Sequence, residues 1–235
     1  MKYLLVFLFA ALTVPSFGQT VINDKNVEVR NTGSFSGIKV SGGIDVYLSQ
    51  SNEYAVAVSA SEDKFRDEIK TEVKNGVLNI YYDASTFRYN GNRNLRAYIS
   101  FKTLESIEAS GACDLNINDN FNASSLKVKL SGACEMEGNI TIQDMQINMS
   151  GASTVKLSGT VQNLKIDASG ASDIKNYSLT ADNCIADVSG ASDIKITVNK
   201  SISARASGAS NLYYKGNPGK KEVNTSGASN VAQRN

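Results

Sequence analysis

Apolar and polar residues alternate strictly in the second half of the chain. Leu126, Val128 and Leu130 are apolar, whereas Lys127 and Lys129 between them are charged. An apolar side chain at every second position is the pattern of a β-strand with one buried face. The same alternation returns ahead of most copies of a Ser-Gly-Ala tripeptide, so we predict a strand at that place in each repeat.

The tripeptide sets a regular period. Its glycines are 18 to 21 residues apart, at positions 111, 132, 151, 170, 190, 208 and 227. Aligned on these glycines, the residues two, four and six positions earlier are nearly all apolar, and the residue four positions later always is. A helical repeat would need apolar spacings of three and four. The pattern therefore predicts an all-β fold, a β-solenoid of stacked parallel strands with about 19-residue coils that rise about 4.8 Å apart.

Each tripeptide is predicted to form a corner of its coil. Glycine adopts the positive φ angles of a tight corner without a steric cost, and the alanine after it leaves room for close stacking. We expect the serines of successive coils to form a hydrogen-bonded ladder along the stack.

An eighth corner is predicted near the N-terminus. The segment Ser41-Gly42-Gly43-Ile44-Asp45-Val46 aligns position by position with the segment that starts at Ser110. Residues 49–104 would then be an insertion between the first and second corners, and we expect it to cover the open end of the stack.

The insertion contains its own signals. Strands are predicted at Tyr54–Val58, Val77–Tyr81 and Leu95–Phe101, with Asn75-Gly76 as the turn of a β-hairpin. A short helix is predicted over Ser61–Ile69, capped by Ser61 and with a Lys64–Glu68 ion pair.

The first residues predict export. An apolar run follows Lys2, is too short to span a bilayer, and ends before small residues at Ser16 and Gly18. We interpret residues 1–18 as a secretory signal and residues 19–235 as a single domain with no transmembrane segment. The mature protein is expected in the periplasm, at the outer membrane or outside the cell.

Composition excludes several function classes. Removing residues 1–18 takes away Lys2 and leaves 23 basic against 23 acidic side chains, which predicts no binding to nucleic acid. The chain has no histidine, so Ser-His-Asp catalysis and histidine-rich zinc sites are excluded.

One polar column stands out, three residues after each glycine. It contains Asp45, Asp114, Glu135, Thr154, Asp173, Asp193, Asn211 and Asn230. Such side chains commonly bond to backbone N–H groups at turns. Two functional alternatives are that the acidic members bind calcium as a cofactor, or that paired carboxylates cleave glycosidic bonds.

Cysteines and aromatic residues leave further alternatives open. Cys113 and Cys134 share a column in successive coils and come within disulfide range, whereas Cys184 occupies a buried position.

Tyrosines and arginines cluster in the insertion, and two more tyrosines lie near the C-terminus. These side chains either pack on the core or bind a glycan or a protein. These residues are Tyr81, Tyr82, Tyr89, Tyr98, Arg88, Arg93, Arg96, Tyr213 and Tyr214.

The segment from Phe35 to Val46 and the Ser-Gly-Ala series together resemble a known family of Bacteroidetes-type exported proteins, the auto-transporter adhesins with a head GIN domain. Gly43-Ile44-Asp45 corresponds to the tripeptide of the family name. The resemblance covers nearly the whole mature chain. It implies a right-handed parallel β-helix outside the cytoplasm and no catalytic residues.

The leading functional hypothesis is therefore a non-enzymatic adhesion or scaffold module of the cell envelope whose partner is an envelope protein or a glycan. The alternative is a carbohydrate-active enzyme or a carbohydrate-binding module on a β-helix, a hypothesis that rests on analogy of fold.

Overall fold

A computed structural model describes residues 24–83, 92–175 and 177–235 and forms a β-solenoid of about seven turns. The predicted secretory signal, together with Arg88 and Tyr89, lies outside these residues. The division into residues 1–18 and 19–235 therefore stays a prediction.

Long strands make up the repeating part. They are β8 (Ser106–Gly111), β9 (Asp114–Gly132), β10 (Glu135–Met149), β11 (Thr154–Ala168), β12 (Asp173–Ile174), β13 (Leu179–Val188), β14 (Asp193–Ala206), β15 (Asn211–Lys215), β16 (Lys220–Thr225) and β17 (Asn230–Gln233). Several of these strands continue through a second corner of their coil. In β11 this corner contains Gly159, which has a φ of +110°.

Successive coils stack in parallel, with one residue of each coil in each column. Thr154 pairs with Glu135 of the preceding coil and with Asp173 of the next. The 14 paired positions between β10 and β11 continue without a register shift from Glu135 to Met149. The predicted stack of parallel strands is confirmed.

The core is a set of apolar columns inside the coils. The side chains predicted to point inward before the glycines are at most 3 % exposed from β9 to β14, and those four residues after the glycines are at most 1 % exposed from β9 to β15. Hydrophobic burial along these columns is the main stabilising term of the fold.

The N-terminal part contains β1 (Glu28–Arg30), β2 (Gly37–Ser41), β3 (Asp45–Gln50), β4 (Ala55–Ser59), α1 (Asp63–Arg66), β5 (Ile69–Lys74), β6 (Val77–Tyr82) and β7 (Arg96–Phe101). Strand β2 lies between β6 and β8, and β3 lies between β7 and β9. The coil made by β6 and β7 is therefore outside the coil made by β2 and β3, although it comes later in the chain.

The predicted hairpin is confirmed. Strands β5 and β6 are antiparallel, and Asn75 and Gly76 between them have φ angles of +51° and +75°. Positive φ at both central residues is the geometry of a type I′ turn, for which Asn-Gly is the preferred sequence.

The helix is shorter than predicted, and the prediction of Ser61 as its N-cap is wrong. Helix α1 has four residues and its N-cap is Glu62, because the backbone of Ser61 is still bonded to Arg93 (2.8 Å). The ion pair of Lys64 is with Glu62 (2.8 Å) instead of Glu68, which pairs with Lys70.

The two ends of the stack are closed differently. Strands β4 and β5 pair with the outermost coil, and Phe65 of α1 is fully buried at that end. At the other end all of β16 is exposed, and Lys221 stands in the inward column directly after the buried Ile202. Lys221 donates to Gln233 (2.9 Å), whose amide donates in turn to the carbonyl of Gly216 (2.7 Å). Lys221 and Gln233 thus cover part of the last coil, while Val223 of β16 is 43 % exposed.

Candidate functional site

The acidic column forms as predicted. Glu135 pairs in register with Asp114, and Asp173 pairs with Asp193. Asp45 is close enough to Asp114 for their charges to interact, since the next residues of the two strands are register partners. The structure therefore brings all five acidic residues into one line on the outside of the coils.

Neighbouring side chains already partner much of this column. Lys156 forms an ion pair with Glu135, and Lys175 lies 3.7 Å from Asp173. Asn211 donates a hydrogen bond of 2.7 Å to Asp193. Contacts of this kind hold the column to side chains of its own chain. Hydrogen bonding of the acidic side chains to backbone N–H groups of the turns stays a prediction.

The part of the chain that the structure describes contains no cluster of side chains suited to bind a metal ion. In residues 24–83, 92–175 and 177–235 no group of three or more His, Cys, Asp or Glu side chains could hold a metal ion. Calcium binding by the acidic column stays a prediction.

The pKa of the Asp45 carboxyl lies above its ordinary value. Partial burial raises its pKa, and the negative charge of Asp114 raises it further. Arg96, its register partner in β7, opposes both effects. Ionisation of Asp45 is therefore less favourable in the folded protein than in water.

Cys113 and Cys134 are free thiols in the structure, and both are buried. Cys113 Sγ lies 3.3 Å from the carbonyl of Ser110, and Cys134 Sγ lies 3.1 Å from that of Ser131. The two side chains also contact each other. This contact and burial raise the pKa of Cys113, whereas the contact lowers the pKa of Cys134. Disulfide formation between them stays a prediction.

Sequence reasoning missed that the column which contains Cys113 and Cys134, two residues after each glycine, is a buried polar column. In the later coils it is occupied by serines that are fully buried at Ser153, Ser172, Ser192 and Ser210. Ser172 donates to the carbonyl of Ser169 (2.8 Å), and Ser153 makes the equivalent bond to Ser150 (3.0 Å). The signal was present, because a serine or cysteine always follows Ser-Gly-Ala.

The serines of the tripeptide form the expected ladder, with backbone carbonyls as acceptors. Ser169 Oγ lies 3.3 Å from the carbonyl of Met149 in the preceding coil, and Ser189 Oγ lies 3.4 Å from that of Ala168. The hydroxyls of Ser131, Ser150, Ser169 and Ser189 link successive coils in this way.

The aromatic residues of the insertion are engaged with their own chain. Tyr98 stacks on Tyr47 with ring centroids 5.2 Å apart and donates to Asp24 (3.3 Å). Arg96 also donates to Asp24, and Arg93 lies over the ring of Tyr82 at 5.2 Å.

The C-terminal aromatics behave similarly. Tyr214 is buried, and Arg234 lies 4.4 Å from the ring centroid of Tyr213. These contacts favour packing over ligand binding for Tyr82, Tyr98, Tyr213 and Tyr214, whereas Tyr81 is 38 % exposed.

Two parallel grooves mark one outer face of the stack, formed by the strand segments that precede Ser-Gly-Ala; we call it the groove face. The main groove has a volume of about 640 Å³ and the side groove about 420 Å³. Outward side chains along the main groove are Lys129, Asn148, Asp167, Asp187, Arg205 and Asn224, next to the serines of the tripeptides. Sequence reasoning did not find these grooves, because a groove depends on how the side chains of neighbouring columns are placed in the folded stack.

Asparagine side chains form a ladder of hydrogen bonds along the side groove. Asn163 donates to Asp144 (2.8 Å), Asn183 donates to Asn163 (2.9 Å), and Ser201 donates to Asn183 (2.8 Å). This ladder links successive coils and fixes the orientation of the amide groups. Ile185, which also lines the side groove, is 52 % exposed.

Several solved structures share the fold. A protein of Bacteroides fragilis NCTC 9343 described as a "putative adhesin" is 23 % identical, with a TM-score of 0.81 over 90 % of this chain and 98 % of that chain. A "putative adhesin" of Parabacteroides distasonis ATCC 8503 is 18 % identical, with a TM-score of 0.66 over 90 % and 98 %. A "putative lipid binding protein" of the same strain is 20 % identical, with a TM-score of 0.63 over 88 % and 97 %.

No curated protein matches the chain. Within the described ranges, none of the helical structure has the length and apolar character that a bilayer crossing requires. The sequence profile described as "putative auto-transporter adhesin, head GIN domain" matches residues 34–218. With this match over most of its length, and with the stacked coils that the resemblance implied, the chain belongs to the head GIN domain family of adhesin-type proteins.

Proposed function

We propose that the protein is an exported adhesion module of the cell envelope that holds its partner on the groove face. The observation that carries the proposal is the main groove, which follows the stack past six successive coils. Family membership supports an adhesion-type role and an exported protein of the cell surface.

The groove face suits adhesion because it is both rigid and repetitive. Parallel backbone ladders hold each coil on the next, so the outward side chains keep fixed positions about 4.8 Å apart. A surface that offers the same kinds of contact several times supports weak but multivalent binding.

An enzyme has no comparable support. Three of the carboxylates in the acidic column, Glu135, Asp173 and Asp193, are held by Lys156, Lys175 and Asn211. The family description is that of an adhesin, and the chain contains no histidine to act as a general base.

Binding to cells tests this proposal. The purified processed protein is incubated with bacterial cells and with isolated envelope fractions, and the bound amount is measured before and after Ser169→Trp, which fills the main groove. Ser158→Trp is the matched control, since Ser158 also bonds to a carbonyl of the preceding coil (3.2 Å) but does not line either groove. We expect at least tenfold weaker binding for Ser169→Trp alone; equal binding by both variants would place adhesion elsewhere. Fractionation of producing cells tests export to the surface.

A further inference from the structure

We infer that the ligand of the main groove is an uncharged glycan chain that lies along the stack axis. This inference rests on the proposed function and assigns a ligand class to the same face.

The shape of the groove indicates an extended ligand. Six coils contribute one outward residue each, from Lys129 to Asn224. At about 4.8 Å for each of five steps, the groove is roughly 24 Å long. A volume of about 640 Å³ spread over that length makes it shallow and narrow, which fits a polymer strand better than a compact molecule.

The charges of the groove cancel. Its charged lining consists of Lys129 and Arg205 against Asp167 and Asp187. Arg205 lies 3.7 Å from Asp187, and Lys165 of the neighbouring column lies 3.2 Å from Asp167. A groove whose charges balance within itself attracts neither polyanions nor polycations over a distance.

The remaining groups of the groove are suited to hydroxyl groups. Asn148 and Asn224 supply amides that donate and accept, and the tripeptide serines supply hydroxyl oxygens that accept. These groups recur in successive coils, so a chain of sugar units meets the same chemistry several times.

A protein partner fits this groove less well. Binding energy between proteins is concentrated in aromatic and apolar anchors. The large apolar residues that are exposed in the described part of the chain are Val29, Tyr81, Ile185 and Val223, and none of them lines the main groove. With no ring to stack on a sugar, each contact is weak, and affinity has to come from many units.

Affinity electrophoresis with matched polysaccharides tests the inference. The probes are dextran, hydroxyethyl cellulose and yeast mannan, with dextran sulfate and carboxymethyl cellulose as charged counterparts of the first two. We expect retardation by at least one neutral polymer, little change with salt because no ion pair forms, and no retardation by the charged counterparts. Ser169→Trp should weaken binding at least tenfold, whereas Ser158→Trp should bind as the unmodified protein does.

The outcomes separate the two proposals. Binding to cells that depends on Ser169 without any neutral glycan bound would overturn the glycan inference and leave the adhesion proposal standing. Retardation only by the sulfated or carboxylated polymers, or neutral binding that Ser169→Trp does not change, would also overturn the inference. If neither cells nor polysaccharides are bound, both proposals fail.

Discussion

A Cβ atom placed on Gly151 would lie 2.5 Å from the carbonyl oxygen of Gly132, directly below it in the stack. Gly151 also has a φ of +74°, in the region that L-residues with side chains rarely adopt. The corner thus needs glycine for two independent reasons, its backbone conformation and the close approach of the preceding coil.

We therefore expect Gly151→Ala to lower the free energy of unfolding by about 3 kcal/mol, the sum of backbone strain and steric overlap. Gly33→Ala separates the two effects, since Gly33 has a φ of +70° but no atom within 4 Å of an added Cβ. That control should lose about 1 kcal/mol. Urea unfolding measures both, and equal losses would mean that stacking of the corners contributes little.

The buried serine column should contribute to stability through its hydroxyls. Ser172→Ala removes the bond to Ser169 and is expected to cost about 1 kcal/mol. Ser172→Cys should cost less, because Cys113 and Cys134 make the corresponding contact in earlier coils. Thermal unfolding of both variants checks this order, and a cysteine variant less stable than the alanine variant would contradict it.

Oxidation of Cys113 and Cys134 would tie two adjacent coils together. Closing the loop between them in the unfolded chain should stabilise the protein by about 3 kcal/mol. We expect the melting temperature of the protein after oxidation to fall when a reductant is added, and mass spectrometry to find the linked peptides.

Cys134→Ser provides the control for that experiment. It keeps the short polar side chain that later coils use at this position, and its melting temperature should not respond to reductant. Cys184 should stay unmodified by alkylating agents in the folded state, since burial raises its pKa to about 12. A reductant-sensitive Cys134→Ser protein would contradict the assignment of the bridge.

Asp45 should make stability depend on pH. Its folded pKa is raised, so the folded state holds its proton more tightly than the unfolded state does. Stability from this group is therefore present below the ordinary carboxyl pKa and is lost as pH rises through the raised value. Asp45→Asn should increase the melting temperature at pH 7 and not at pH 3, while Asp119→Asn, at an exposed position, should change neither. An equal gain at both pH values would exclude this cause.

Lys221 should keep the last coil from pairing with a second molecule. A charge in an inward position at an exposed sheet edge opposes edge-to-edge association. Lys221→Leu is expected to shift sedimentation towards larger species than the unmodified protein forms, whereas Lys220→Leu, on the outward column of the same strand, should shift it less. Identical sedimentation of both variants would assign no such role to Lys221.

Much of the architecture could be predicted from the period alone. In a solenoid, a residue and its counterpart one repeat later are neighbours in space, so the repeat length alone places Glu135 and Thr154 side by side. The same rule predicted the apolar columns, the glycine corners and the line of acidic residues. The Asn75-Gly76 turn was equally predictable, because its φ angles depend on two local residues.

What the period could not decide depends on contacts outside the repeat. The chain alone places the β6–β7 coil after the β2–β3 coil, and only tertiary pairing puts it on the outside of the stack. The main groove likewise arises from the positions that neighbouring side chains take up in the folded stack. By itself the sequence determined which residues share a column, because register follows from repeat length. Only the tertiary structure decided which columns border a groove, because that depends on how the coils bend and pack.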